Sequence, residues 1–176
     1  DMGFYCKYNT KYTGLIRDYK GFDVFIETAK ILNEKGMDIK FLAVGECYSN
    51  KEKYTKLIDK YNLGNIILWI DDYVQDDDIN MYFSASDFVV LPYKTASQSG
   101  IISLAYNYNK PVITTDLEGL KDYIVPNKTG FICKVNNPVD ISENITKIIN
   151  NNNLDKMSNF IHDYKNRFSW KEFCYG

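Results

Sequence analysis

A loop with two cations precedes the first amphipathic segment of the 176-residue sequence. Gly14 opens the loop, and Arg17 and Lys20 follow before apolar residues begin to recur at helical spacing. An arginine binds two phosphate oxygens through its planar guanidinium group, whereas a lysine acts as a point charge. The loop is therefore a candidate diphosphate site. The alternative is a pair of solvated surface charges, which are mildly unfavourable near the start of a helix.

A second candidate loop is rich in small polar residues. The run TASQSG at 95–100 leads into an apolar segment, 101–108, that is predicted to be a helix. Free backbone N–H groups and the positive end of the helix dipole make such a position suitable for phosphate. An ordinary serine N-cap would explain the same residues.

Other chemical motifs receive less support. The sequence has neither a GxGxxG after its first strand nor a Walker Gly-Lys-Ser/Thr, so dehydrogenases and P-loop NTPases are disfavoured. Of the two acidic runs, 71–72 and 76–78, the second is better explained by helix capping than by metal binding. His162 falls in the last predicted helix, away from the loops described above, which favours a structural or surface role.

Composition excludes several further classes. There are 21 basic and 23 acidic side chains, and this balance disfavours a nucleic-acid-binding protein. No apolar run approaches the roughly 20 residues that cross a bilayer, and the first residues do not resemble a signal peptide. Four widely spaced cysteines and a single histidine argue against a zinc site or a disulfide framework, so a reducing cytoplasm is expected.

Short apolar runs alternate with amphipathic segments along the chain. Strands are predicted at 39–44, 66–70, 88–91, 112–114 and 130–135. Helices are predicted at about 22–36, 54–64, 76–83, 101–108, 117–123, 138–149 and 156–167. Continuously apolar strands that alternate with helices predict an α/β fold, a doubly wound parallel sheet in one domain spanning 1–176. Ligands bind such sheets outside the carboxyl ends of the strands, where both candidate loops lie.

The order of these segments resembles the C-terminal, donor-binding domain of retaining glycosyltransferases of family four (group 1), which have the two-domain GT-B fold. The segments that carry the resemblance are GLIRDYKGFDVFIETAKIL, IKFLAVGE, IILWIDDYVQDDDINMYFSASDFVVLPY, KPVITTDLEGLKDYIVPNKTGFI and FSW. The resemblance implies a Rossmann-like domain that binds a nucleotide-activated sugar, while an N-terminal domain binds the acceptor. Two such domains need roughly twice this length, so we expect the chain to be one half of a longer enzyme.

The resemblance also implies which residues contact the donor. The diphosphate would be held by Gly14, Arg17, Lys20, Ser99, Gly100 and Ile101, the sugar by Ser97 and Gln98, and the base by Tyr73 and Val74. Negative charge builds on the leaving diphosphate as the glycosidic bond breaks, and cations with a helix N-terminus stabilise it. A metal ion is not required for that, so we expect no cofactor beside a UDP- or GDP-linked sugar.

The sequence departs from the family pattern in two ways. Family members commonly carry two glutamates eight positions apart, one facing the sugar and the other the ribose, and these places fall on Ala96 and Leu104. The arginine that often follows the loop glycine is replaced by Leu15, so Arg17 would have to substitute for it. The catalytic residues are therefore not assigned.

The leading hypothesis is the donor half of a retaining hexosyltransferase of bacterial cell-surface polysaccharide or lipopolysaccharide biosynthesis. Alone, this half is expected to bind donor weakly and to transfer nothing. The other half would bind a glycan or lipid-linked glycan acceptor and would bring a cytoplasmic enzyme to the inner face of the membrane. The alternatives are a degenerate, non-catalytic binding or scaffold module and an unrelated flavodoxin-like or receiver-type domain. The last needs an acidic cluster where this chain has Arg17 and Lys20.

Overall fold

A computed structural model of the chain describes residues 8–13, 16–74, 76–150 and 153–165. Six strands and six helices lie in these ranges. The strands are β1 (Tyr8–Thr13), β2 (Ile39–Val44), β3 (Ile67–Ile70), β4 (Phe88–Leu91), β5 (Val112–Thr115) and β6 (Gly130–Cys133). The helices are α1 (Phe22–Glu34), α2 (Lys51–Lys60), α3 (Asp76–Ser84), α4 (Gly100–Asn107), α5 (Pro138–Asn150) and α6 (Asn153–Lys165).

The strands form one parallel sheet in the order β3-β2-β1-β4-β5-β6. The chain first adds β2 and β3 on one side of β1, and then returns to add β4 on the other side. The direction of winding therefore reverses between β1 and β4. This arrangement confirms the predicted doubly wound, Rossmann-like α/β fold, and it opens a crevice where ligands of such sheets bind.

Two hydrophobic clusters cover the two faces of the sheet. On one face α1 and α5 bury side chains such as Phe25 and Ile145, and on the other α4 and α6 bury Ile102 and Ile161. All four residues of β4 are fully buried, as expected for a central strand covered on both sides. A continuous apolar run is therefore the pattern that such a strand requires.

The structure differs from the sequence-based prediction in two elements. β1 was not predicted, because its residues YNTKYT form no apolar run, yet it pairs with β2 along its whole length. The predicted helix at 117–123 is wrong except for a short 3₁₀ turn, Lys121–Tyr123. Gly119 has a φ of 80°, in the left-handed region, so a regular helix cannot pass through it. The end predicted for the last helix, at 167, lies outside the described residues.

The chain crosses itself closely at the carboxyl end of the sheet, at Gly21. This residue has a φ of 71°, and a Cβ atom added to it would lie 2.0 Å from the carbonyl oxygen of Pro92, which follows β4. Only glycine allows the chain to turn into α1 at this distance. The same crossing fixes the loop after β1 against the loop after β4.

In the described ranges, no helix combines the length and the apolar character needed to span a membrane.

Replacing Gly21 by alanine is expected to lower the free energy of unfolding by about 2 kcal/mol or more, because it adds backbone strain and a clash with a carbonyl group. Urea denaturation measures this change. Gly64→Ala is the matched control, since nothing lies within 4 Å of its added Cβ, and it should change stability by less than about 0.5 kcal/mol. Equal effects of the two substitutions would contradict the close approach of Gly21 to the carbonyl oxygen of Pro92.

Tyr106→Phe should lower the free energy of unfolding by about 1–2 kcal/mol, because the buried Thr129 hydroxyl and the Tyr123 carbonyl oxygen each lose a hydrogen-bond partner. The Tyr106 hydroxyl donates to the carbonyl oxygen of Tyr123 over 2.7 Å and lies 2.8 Å from Oγ1 of Thr129. Tyr108→Phe is the control, since the Tyr108 hydroxyl makes no hydrogen bond with the described residues. A loss of stability as large in the control as in Tyr106→Phe would be evidence against this polar network.

Candidate functional site

An open cavity of about 560 Å³ lies at the point where the sheet reverses its winding. Its walls are the loop after β1, the loop after β4 and the first two turns of α4. The lining residues are Tyr19, Lys20, Tyr93, Thr95, Ala96, Ser97, Gln98, Ser99, Gly100, Ile101 and Leu104. The two loops singled out in the sequence therefore meet in one cavity.

Two hydrogen bonds fix the loop after β1, and an ion pair fixes the start of α1 that follows it. It contains a 3₁₀ turn, Asp18–Lys20, and the carboxylate of Asp18 accepts a hydrogen bond of 2.8 Å from the hydroxyl of buried Tyr54. The carbonyl oxygen of Tyr19 accepts a hydrogen bond of 2.7 Å from the backbone N–H of Lys94, in the loop after β4. The side chain of Lys94 forms an ion pair with Asp23, at 2.7 Å. These contacts hold Lys20 at the cavity wall.

The loop after β4 ends in the N-cap of α4. Oγ of Ser99 accepts a hydrogen bond of 3.3 Å from the backbone N–H of Ile101 and lies 3.5 Å from the hydroxyl of Tyr93. Thr115, at the end of β5, donates its hydroxyl to the carbonyl oxygen of Tyr93 over 2.7 Å. The positive end of the α4 dipole therefore faces the cavity from a fixed position.

Gly119 brings a third loop against this wall. A Cβ atom added at Gly119 would lie 1.8 Å from the carbonyl oxygen of Ser97. The loop after β5 can therefore approach Ser97 only because it carries no side chain there. This contact supports the cavity wall from outside.

The cavity is positively charged. Lys20 is the one charged residue among those that line it, and its ammonium group lies 5.8 Å from the centroid of the Tyr93 ring. Burial lowers the pKa of Lys20 below its usual range, and the charge of Arg17 lowers that pKa further. A bound anion would offset both effects, because it favours the charged ammonium form.

The structure brings together most of the residues predicted for the diphosphate and the sugar. Lys20 and residues 97–101 line one cavity, and Ala96 and Leu104, where the family pattern places glutamates, line it as well. Arg17 lies outside the wall, with its guanidinium carbon 5.6 Å from the centroid of the Tyr48 ring.

The residues predicted for the base lie away from the cavity. Tyr73 and Val74 follow β3, two strands away from β1, and Tyr73 is 70% exposed. Gly14 lies outside the described residues. The residues predicted for the base therefore lie at the same edge of the sheet as the cavity, but after β3 and not after β1 or β4.

The sequence analysis assigned no ligand contact to three wall residues, Tyr19, Tyr93 and Thr95, although Thr95 belongs to the run 95–100 that it singled out. Tyr19 precedes Lys20, and the other two residues lie in the loop that follows β4. Their position in strand-end loops was the available signal, but aromatic side chains are equally typical of a hydrophobic core. Tyr93 is both a core residue and a wall residue, because its side chain is 3% exposed and still borders the cavity.

The acidic residues near the sheet edge have structural contacts. Asp71 accepts a hydrogen bond of 2.7 Å from the backbone N–H of Cys47 and forms an ion pair with Lys51. Within the described part of the chain, no group of three or more His, Cys, Asp or Glu side chains is placed to hold a metal ion.

Curated proteins with similar sequences are glycosyltransferases. An uncharacterized glycosyltransferase of Methanocaldococcus jannaschii is 25% identical over 166 residues, which are 94% of this chain and 45% of that protein. The capsular polysaccharide biosynthesis glycosyltransferase CapM of Staphylococcus aureus is 30% identical over 146 residues, 81% of this chain and 37% of that protein. This chain spans less than half the length of these relatives.

Solved structures share the fold. The C-terminal domain of LpcC, a glycosyl transferase group 1 family protein of Francisella tularensis, superposes with a TM-score of 0.80 at 22% identity, over 89% of this chain and 83% of that chain. HepE of Anabaena, solved in complex with UDP and glucose, gives a TM-score of 0.80 at 15% identity, over 92% of this chain and 44% of that chain.

The family model of glycosyl transferases group 1 matches residues 10–167. That match covers both loops of the cavity and all six strands except the first residues of β1. The chain therefore belongs to the group 1 glycosyltransferases, and its Rossmann-like sheet corresponds to the C-terminal half of a GT-B fold.

Proposed function

We propose that the cavity binds the diphosphate and the sugar of a nucleotide-sugar donor, and that the chain is the donor half of a retaining hexosyltransferase. One observation carries the proposal: Lys20 and the N-terminus of α4 face the same cavity at the reversal point of the sheet. Both favour negative charge, and both are held by hydrogen bonds within and between the loops that form the cavity. The complex of HepE with UDP and glucose supports this choice of ligand.

The same geometry suggests how the reaction is assisted. When the bond between sugar and diphosphate breaks, the leaving oxygens gain negative charge. Lys20 and the α4 dipole would stabilise that charge more strongly in the transition state than in the bound donor. Arg17 would add a second cation from the rim of the cavity. Protein groups would therefore stabilise the leaving diphosphate, and we propose no metal cofactor.

The sugar would lie against the loop after β4. Ser97 and Gln98 offer a hydroxyl group and an amide group to sugar hydroxyls, whereas Ala96 and Leu104 offer apolar surface. The base would lie near Tyr73 and Val74. Neighbouring strands are about 4.8 Å apart, so β3 lies about 10 Å from β1, a distance that a nucleotide can span.

The biological role is proposed from the relatives. CapM is named for capsular polysaccharide biosynthesis, which supports a role in making a bacterial cell-surface polysaccharide or lipopolysaccharide. The acceptor, a glycan or a lipid-linked glycan, would be bound by another domain of the whole protein. That protein would work in the cytoplasm, at the inner face of the membrane.

A second candidate is a non-catalytic donor-binding module. It is favoured by Ala96 and Leu104, which line the cavity at the places where the family pattern has carboxylates. The two candidates differ in turnover and not in binding. Hydrolysis or transfer of a UDP- or GDP-sugar by the whole protein would support the enzyme, and binding without turnover would support the module.

Lys20→Gln is expected to weaken UDP binding to the 176-residue chain about tenfold or more, because a charge-assisted contact to phosphate is lost. Isothermal calorimetry with UDP and GDP measures this effect. Lys128→Gln is the matched control: its ammonium group also lies over an aromatic ring, that of Phe160, but near the opposite end of the sheet. Binding of neither nucleotide at millimolar concentration would refute the proposed donor site.

The affinity for UDP should fall as pH rises, beginning below the usual lysine pKa of 10.5. The sign follows from the lowered pKa of Lys20: the free site loses its proton early, and only the protonated form attracts phosphate. Dissociation constants measured between pH 7 and pH 10 test this. Lys20→Arg should bind UDP without this decline, because arginine stays charged throughout the range. An equal decline in both proteins would assign the effect to another group.

A further inference from the structure

The loops after β1 and β2 run side by side past the ends of their strands. The backbone N–H of Ile16 donates to the carbonyl oxygen of Glu46, and the N–H of Tyr48 donates to the carbonyl oxygen of Ile16, each over 2.9 Å. These bonds continue the parallel pairing of β1 with β2. They place Arg17 next to Tyr48, although the two residues are far apart in sequence.

Tyr48 carries the guanidinium group of Arg17 on its ring. The guanidinium carbon lies 5.6 Å from the ring centroid, within the range of a cation–π contact. The Tyr48 hydroxyl donates to Oε2 of Glu46 over 2.9 Å, and this bond raises the pKa of Tyr48. The ring is therefore held by its backbone at one end and by its hydroxyl at the other, although it is 59% exposed.

The charge of Arg17 is not neutralised by this arrangement. In the described part of the chain, no carboxylate lies within 4.0 Å of its guanidinium group. Glu46, in the adjacent loop, bonds to the Tyr48 hydroxyl instead. A guanidinium group that rests on a ring keeps the N–H groups at its edge free to bind phosphate oxygens. Arg17 is also close enough to Lys20 to lower its pKa.

We propose that Tyr48 is a positioning residue that holds Arg17 beside Lys20, so that the two cations share the two phosphates of the donor. This inference rests on the proposed donor site and adds a selectivity to it. Lys20, in the cavity wall, contacts one phosphate, and Arg17, on the rim towards β2, contacts the other. The site then prefers nucleoside diphosphates to monophosphates, and the preference depends on a side chain that does not touch the ligand.

The test is a double-mutant cycle on the 176-residue chain, with UDP as the probe and UMP for comparison. We expect Arg17→Ala to weaken UDP binding about tenfold and Tyr48→Leu about two- to fivefold, in line with an exposed cation–π contact. The double variant should bind like Arg17→Ala alone, because Tyr48 acts through Arg17. Each change should affect UMP less than UDP.

Two variants separate positioning from loss of structure. Tyr48→Phe keeps the ring below the guanidinium group and should retain most of the affinity. Tyr61→Leu is the matched control, since it removes a ring that lies under Lys30 and Lys60, 5.1 and 5.4 Å away, at the far end of α2. It should leave UDP binding unchanged. In NMR spectra, the upfield ring-current shift of the Arg17 side chain should persist in Tyr48→Phe and disappear in Tyr48→Leu.

The outcomes distinguish the two proposals. If Tyr48→Leu leaves UDP binding unchanged, or if its effect adds to that of Arg17→Ala, the positioning role is wrong. The donor site still stands in that case, provided that Lys20→Gln weakens binding. If the unaltered chain binds neither UDP nor GDP, the donor site fails and the role of Tyr48 fails with it.

Discussion

The reversal of the sheet at β1 is the constraint on which the rest of the structure depends. β1 pairs with β2 on one edge and with β4 on the other, so the loops that leave β1 and β4 lead to opposite faces. One enters α1, which packs in the cluster around Phe25, and the other enters α4, which packs in the cluster around Ile102. The cavity is the space left where the two loops separate. Its position therefore follows from strand order.

The cations at this edge of the sheet are of two kinds, those that form ion pairs and those that do not. Lys94 and Lys53 form ion pairs with Asp23, and Lys51 forms one with Asp71, so these lysines hold loops together. Lys20 has no such partner within 4.0 Å among the described residues, and neither does Arg17. An unpaired and partly buried ammonium group lowers the stability of the fold, and this cost supports the proposed role of Lys20 in binding an anion.

The sequence predicted the parts of the structure that follow from local composition. β4 was predicted because its four apolar residues match a strand buried on both faces. Lys20 was singled out because a glycine and two cations precede a predicted helix. β1 was missed because its polar residues give no apolar pattern, and only pairing with distant strands makes it central. The orientation of Arg17 could not be predicted either, since Tyr48 belongs to another loop.

The two ends of the cavity, one proposed for the phosphates and one for the sugar, differ in how much they depend on particular side chains. The end proposed for the phosphates is built from backbone groups and one cation: the N-terminus of α4, the 3₁₀ turn Asp18–Lys20 and the ammonium group of Lys20. The other end is built from side chains, and there Ala96 and Leu104 stand where family members carry glutamates. Backbone groups persist through most substitutions, whereas a carboxylate is lost in a single one. A domain of this fold can therefore keep an anion-binding end while the other end of the cavity changes. If the proposed donor site is right, this chain keeps Lys20 and the N-terminus of α4 for the phosphates, whereas its sugar end is altered at Ala96 and Leu104.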